Sequence, residues 1–197
     1  MNIAKIINRI GIGALLLALL NAPARSSEQE DACTKLIPKQ LGAQIHRSYP
    51  DFRIVRASDY SEESLAYPKA HGISCPGIAS ADVDGNGLRD TALFITAKNG
   101  HTLLVVARQF KTPKWRIATI SDFGKEGVSN SYVGPIPAGG YTDLFESDVA
   151  PGDYVPEPDR VMQYRSRYAG FMAGTMESTG VAYFFASKRW VHLWQSD

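Results

Sequence analysis

The chain has little of what usually marks an enzyme or a nucleic-acid binder. Of its 197 residues two are cysteine and four are histidine. His46, His71, His101 and His192 lie far apart, and none has a metal-binding partner at short spacing, which excludes HExxH and Cys/His metal motifs. There is no GxSxG, no P-loop, no GxGxxG after a strand and no CxxC. The short signatures of serine hydrolases, nucleotide enzymes and thiol oxidoreductases are therefore absent. Charge of one sign is also missing. The chain has 21 Lys and Arg against 20 Asp and Glu, so no broad basic field exists to hold nucleic acid or an acidic membrane. Beyond the first 24 residues there is no long apolar run.

What is present begins at the N-terminus. "MNIAKIINR" carries Lys5 and Arg9, the eleven residues "IGIGALLLALL" are apolar, and Ala22 and Ala24 flank Pro23. A positive segment, a short apolar core and an A-x-A site read as a secretory signal peptide, residues 1–24, cleaved after Ala24. The apolar core is short for a membrane span, and an uncleaved anchor is the alternative. Residues 25–197 then form a single exported domain, long enough for a real core. Removing Lys5 and Arg9 leaves one more acid than base. The expectation is a periplasmic or secreted protein with no stable membrane insertion after cleavage. In an exported chain an even cysteine count reads as a disulfide, here Cys33–Cys75, with two free thiols as the alternative.

The fold class read from the pattern is α+β: mostly antiparallel β-sheet with one N-terminal helix. "DACTKLIPKQLGAQIHRSYPDF" places Leu36, Leu41 and Ile45, with Ile37, on one helical face. Pro38 sits near its start and Pro50 ends it. "FRIVRASDY" reads as a first strand, and residues 57–76 as a long loop. "TALFITA", "HTLLVVARQF" and "WRIATI" read as an antiparallel meander, its first turn set by Asn99–Gly100. Residues 121–159, rich in Gly, Pro, Ser and Asp, read as long loops with one short strand. "RVMQYRS", "GFMAGTME", "GVAYFFA" and "RWVHLWQ" follow as a second β region. Alternation in the last puts Val191 and Leu193 on one face and Trp190, His192 and Trp194 on the other. That second face, near Arg189, is a candidate interface, because Trp and Arg anchor protein contacts; core packing is the alternative.

The sharpest local pattern is "SADVDGNGLRDTALF". Asp82, Asp84, Asn86, the carbonyl of Leu88 and Asp90 fall at alternate positions, with Gly87 where the chain must turn. Side chains at such spacing converge and offer oxygens to a hard cation, Ca²⁺ before Mg²⁺, because Mg²⁺ usually keeps its waters. The alternative is an Asp/Asn/Gly turn that caps its own backbone. The twelfth position is Leu93, where an EF-hand needs Glu. The stretch resembles the D-x-D-x-[DN]-G-x-x-D calcium loop of FG-GAP and VCBS-type repeats. The resemblance covers about 40 residues, roughly Pro76 to Ile120. It implies a loop between two strands with Asp90 in place of the missing Glu. A propeller needs several such repeats and one is present, so the propeller fold is not implied.

No catalytic residue is assigned. Glu177, Glu146 and Asp148 are carboxylates that a glycan hydrolase can pair, provided two lie about 5–10 Å apart; His192 with Asp197 has no better support. "STGVAY" (Ser178 to Tyr183) is similar to the S-G-x-x-Y motif of β-rich periplasmic lysozyme inhibitors, with one extra residue between Ser and Gly. The expected function is a calcium-binding exported protein with a non-enzymatic role, engaging another envelope or secreted protein as an inhibitor or immunity-type protein does. A cell-wall or other glycan hydrolase and a structural calcium-dependent envelope protein are the alternatives.

Overall fold

The computed structural model describes residues 31–70, 73–112, 114–125, 128–145, 157–176 and 178–195. The expected signal segment, residues 1–24, and Glu146, Asp148, Glu177 and Asp197 lie outside them. A 3-10 turn, Thr34–Leu36, leads into α1, Lys39–Ser48. Ile37, Leu41 and Ile45 turn inward at four-residue spacing, whereas Leu36 is exposed because the 3-10 turn rotates it off the helical face. Asp31 anchors this start, accepting from Cys33 N at 2.9 Å and Ala57 N at 3.0 Å.

The expected single helix is not what is found. A second, α2, spans Glu62–Ala70, inside the expected loop. It carries no apolar stripe to betray it. Its start is fixed instead by Ser61, whose Oγ accepts Ser64 N at 3.1 Å, and by Glu62 and Glu63 in the first turn, where carboxylates favour the helix dipole. Pro68 lies near its end, where the missing N–H costs least helix beyond it.

The remainder is antiparallel sheet. In the first sheet β1 (Phe52–Ile54) pairs with β3 (Asp90–Ala97), β3 with β4 (Thr102–Gln109) and β4 with β5 (Trp115–Gly124); β2 (Ile78–Ala81) pairs with the other end of β3. The meander is as the sequence predicts, with Gly100 closing its first turn at φ +84°. Nearly every residue of β3 and β4 is buried, so both faces of this sheet are covered. The helix α1 reaches it through Gln44, which donates to Trp115 O at 2.8 Å, and Tyr49, whose hydroxyl meets Thr119 Oγ1 at 2.9 Å.

The second sheet runs β11–β10–β9–β6, with β6 Ser131–Ile136, β9 Gly170–Thr175, β10 Gly180–Ala186 and β11 Arg189–Gln195. Two further strands, β7 (Gly139–Thr142) and β8 (Gln163–Ser166), pair only with each other. Residues 121–159 therefore hold β6, β7 and the end of β5, where one strand is expected. One face of the second sheet (Val133, Phe171, Ala173, Tyr183) joins the main core with Phe94 and Val105. Its other face (Ala182, Phe184, Val191, Leu193) forms a smaller core against Tyr141 and Tyr164 of the β7–β8 ribbon. The β10–β11 turn places Ser187 and Lys188 at φ +48° and +70°, the left-handed pair that matches strand twist.

Cys33 and Cys75 are bonded, with Cα atoms 5.0 Å apart. The bond ties the 3-10 turn to the approach to β2. Replacing both by Ser is expected to cost about 2–4 kcal/mol in urea unfolding, with hydrogen exchange rising first over residues 34–48. Unchanged exchange there would show that packing of Leu41 and Ile45 alone holds the segment.

Candidate metal centre and its surroundings

The loop between β2 and β3 folds around its own side chains. Asp82 Oδ1 accepts Gly85 N at 2.8 Å and Asn86 N at 3.1 Å, and its Oδ2 accepts Gly87 N at 2.9 Å. Asp84 Oδ1 accepts Asn86 N at 3.2 Å. Asn86 faces both ways: its Oδ1 accepts Leu88 N at 2.7 Å, and its amide donates to Gln109 O at 2.9 Å. Gly85 and Gly87 stand at φ +73° and +81°, conformations that a side chain strains. A Cβ at Gly85 would also strike the ring of Tyr168, a contact from the turn before β9 that sequence spacing does not reveal.

Of the predicted ligands, Asp82, Asp84 and Asp90 are brought together, each offering an oxygen within 4.8 Å of the others'. Asp90 is fully buried. Its Oδ2 accepts Val83 N at 3.1 Å and its Oδ1 accepts Gln109 N at 2.7 Å, so it stitches the loop to the end of β4. Burial, together with the charges of Asp84 and Asp82, pushes its carboxyl up to about 6 against those two donors. Arg108, at the end of β4, donates to Asp84 Oδ2 at 3.1 Å. Its guanidinium lies 3.7 Å from the centroid of the Phe185 ring, across in the second sheet. Among the described residues Arg108 is the one cation paired with these carboxylates, leaving two negative charges uncompensated when all three are ionised. Carboxylate oxygens that accept one or two N–H groups still have lone pairs to offer. An all-oxygen, doubly negative set suits a hard divalent cation, and Leu88 stands next in the chain to add its carbonyl.

The expected interface stripe is placed differently. Trp190, His192 and Trp194 do share a face, but it is the one turned toward the first sheet. Trp190 packs on the main core and meets Phe185 edge-on. His192 lies 3.2 Å from Glu157, and Trp194 meets Phe145. All three are half-buried, because residues 157–161 and Phe145 lie against them. Tyr183, the tyrosine of "STGVAY", points into the core at 4% exposure, so it is not offered on a loop.

Sequence reasoning missed a buried ion pair. Asp143, its side chain fully buried, accepts Arg160 Nη2 at 2.8 Å, Arg160 Nε at 3.0 Å, Trp194 N at 2.9 Å and Phe145 N at 3.0 Å. Burial works against the charge, but the Arg160 fork and the two backbone donors prevail and hold this carboxyl below the usual range. A separation of 17 residues with no motif gives no sequence signal. The structure also opens a groove of 740 Å³ between α2 and the second sheet, with Glu63, Tyr132, Gly134, Met172 and Met176 among its walls.

Compared with protein-family models, with curated proteins and with solved structures, the chain matches none.

Two outcomes follow from the paired carboxylates. Asp143→Ala is expected to cost about 3–5 kcal/mol, measurable by urea unfolding, because buried Arg160 loses its fork partner and keeps only the longer 3.6 Å contact with the more exposed Glu157 among its carboxylate pairs, while Trp194 N and Phe145 N lose their acceptor. Asp90 has the opposite sign from an ordinary ion-paired Asp. Its folded pKa is raised from about 3.9 to about 6, so the folded state binds the proton more tightly than the unfolded one. In EDTA, stability relative to the non-titrating Asp90→Asn variant should fall as pH rises from about 4 to about 6. A flat difference across that window would show that Asp90 is ionised throughout.

Proposed function

We propose that this is an exported calcium-binding protein, periplasmic or secreted, which acts by binding another envelope or secreted protein in the manner of an inhibitor or immunity-type protein. The observation that carries the calcium assignment is the convergence of Asp82, Asp84 and Asp90 within 4.8 Å, with Asp90 buried and two negative charges left over after Arg108. Bringing like charges together costs free energy that a divalent cation offsets. Export is supported by the N-terminal pattern and by the Cys33–Cys75 bond, because disulfides persist in oxidising compartments. Among the described residues no helix is long and apolar enough to cross a membrane. A binding role is supported by the open groove beside α2, lined by the adaptable side chains of Met172 and Met176.

A calorimetric titration of the mature protein with CaCl₂ tests the assignment. One saturable site is expected, with a Kd of about 10⁻⁴–10⁻³ M, the range of extracellular modules. At ten times Kd the folded state gains about 1.4 kcal/mol, read as a rise in Tm over EDTA. Asp84→Asn should weaken binding at least tenfold. Because Asp84 also neutralises Arg108, some loss of stability in EDTA is expected of this variant as well. No heat and no change in Tm at 10 mM CaCl₂ would reduce the loop to a self-capped turn.

A further inference from the structure

We propose that the groove between α2 and β6–β9 is the docking site for an extended, apolar polypeptide segment carrying a cationic side chain. The proposal rests on the protein-binding part of the reading above and is independent of calcium. Met172 and Met176 on one side and the exposed Ile73 and buried Pro68 on the other make the groove apolar. Methionine adapts its shape to a partner, as promiscuous binding surfaces do. Among the described lining residues the one charged side chain is Glu63, which is exposed, so the complementary charge is positive. The third observation concerns Gly134. It lies within strand β6, and a Cβ built on it meets nothing within 4 Å. A strand glycine over open space lets another backbone approach closely, which favours an extended peptide over a lipid chain. The room at Gly134 also provides a test, because a Cβ there meets nothing within 4 Å and a longer side chain grows from it into the groove that Gly134 lines.

The test uses mature protein with ¹³C-labelled methionine methyls, titrated with the acetylated, amidated pentapeptide VLVLR and its neutral counterpart VLVLQ, in CaCl₂ and again in EDTA. Met172 and Met176 should shift saturably while Met162, outside the groove, stays fixed. VLVLR should bind about threefold tighter than VLVLQ, the scale of an exposed ion pair, and Glu63→Gln should remove that preference. Gly134→Leu should keep the wild-type Tm and abolish both titrations. Shifts at all three methionines, titrations unaffected by Gly134→Leu, or a preference that survives Glu63→Gln would each overturn the proposal. So would dodecylphosphocholine below its micelle concentration shifting Met172 and Met176 where the peptides do not, an outcome that assigns the groove to lipid. The calcium heat is a separate readout, so loss of one assignment does not entail loss of the other.

Discussion

The constraint on which much of the structure depends is the placement of the Asp90 carboxylate in the interior. A fully buried charge needs donors on both oxygens, and the chain supplies Val83 N from the loop and Gln109 N from the end of β4. Meeting that need fixes where β3 begins and where β4 ends. It also brings Arg108 beside Asp84, with its guanidinium lying over Phe185 in the second sheet. From the other direction Tyr168 closes over Gly85. One acidic loop thus holds the β2–β3 connection, the last residues of β4 and the approach to β9 in one arrangement. Charge forces this organisation, because unsatisfied oxygens at that depth would cost more than the turn itself contributes.

The second sheet is organised around a different problem, which is that both its faces are apolar. Val133, Phe171, Ala173 and Tyr183 complete the core over the first sheet. Phe184 and Leu193, one position out of phase, would then face water. The β7–β8 ribbon covers them, its Tyr141 and Tyr164 rings lying 4.8 Å and 5.3 Å from Phe184. A two-stranded ribbon is marginal alone. Here its end is fastened by Asp143, which grips Arg160 and the backbone of Trp194. The ion pair is therefore best understood as a clasp: it is costly to desolvate and costly to break, and it sets the ribbon's position over the small core.

These two arrangements differ in how legible they are in the sequence. The acidic loop is local: its spacing, its glycine and the apolar run after it are enough to expect Asp82, Asp84 and Asp90 together, and the Cys33–Cys75 bond follows from counting. The β3–β4 hairpin is legible for the same reason, through Asn99–Gly100 and branched apolar residues. By contrast α2 is held by a serine cap and packs through Ser64 and Pro68, so it has no periodicity to read, although Ser61 followed by two glutamates is a start signal. Strands β6 and β7 contain Pro135, Gly139 and Gly140, residues that local propensity assigns to loops; partners distant in sequence override it. Alternation gives the shared face of Trp190, His192 and Trp194. It does not say which face the other sheet covers, because that depends on how residues 157–161 return.

Whether the acidic loop and the groove act as one device turns on β9. The two sites touch opposite ends of one short stretch: Tyr168 packs on Gly85, and Met172 lines the groove. Contact continuity of this kind does not by itself couple two sites; coupling needs an element with two arrangements whose balance both ligands bias. Strand β9 is paired along its length, to β10 on one side and β6 on the other, and Phe171 and Ala173 are wholly buried between the sheets. Sliding it by one residue would send every one of its side chains to the wrong face. A strand locked on both edges and packed at this depth is a rigid spacer. On the proposed reading, the acidic loop and the groove would therefore each act without the other.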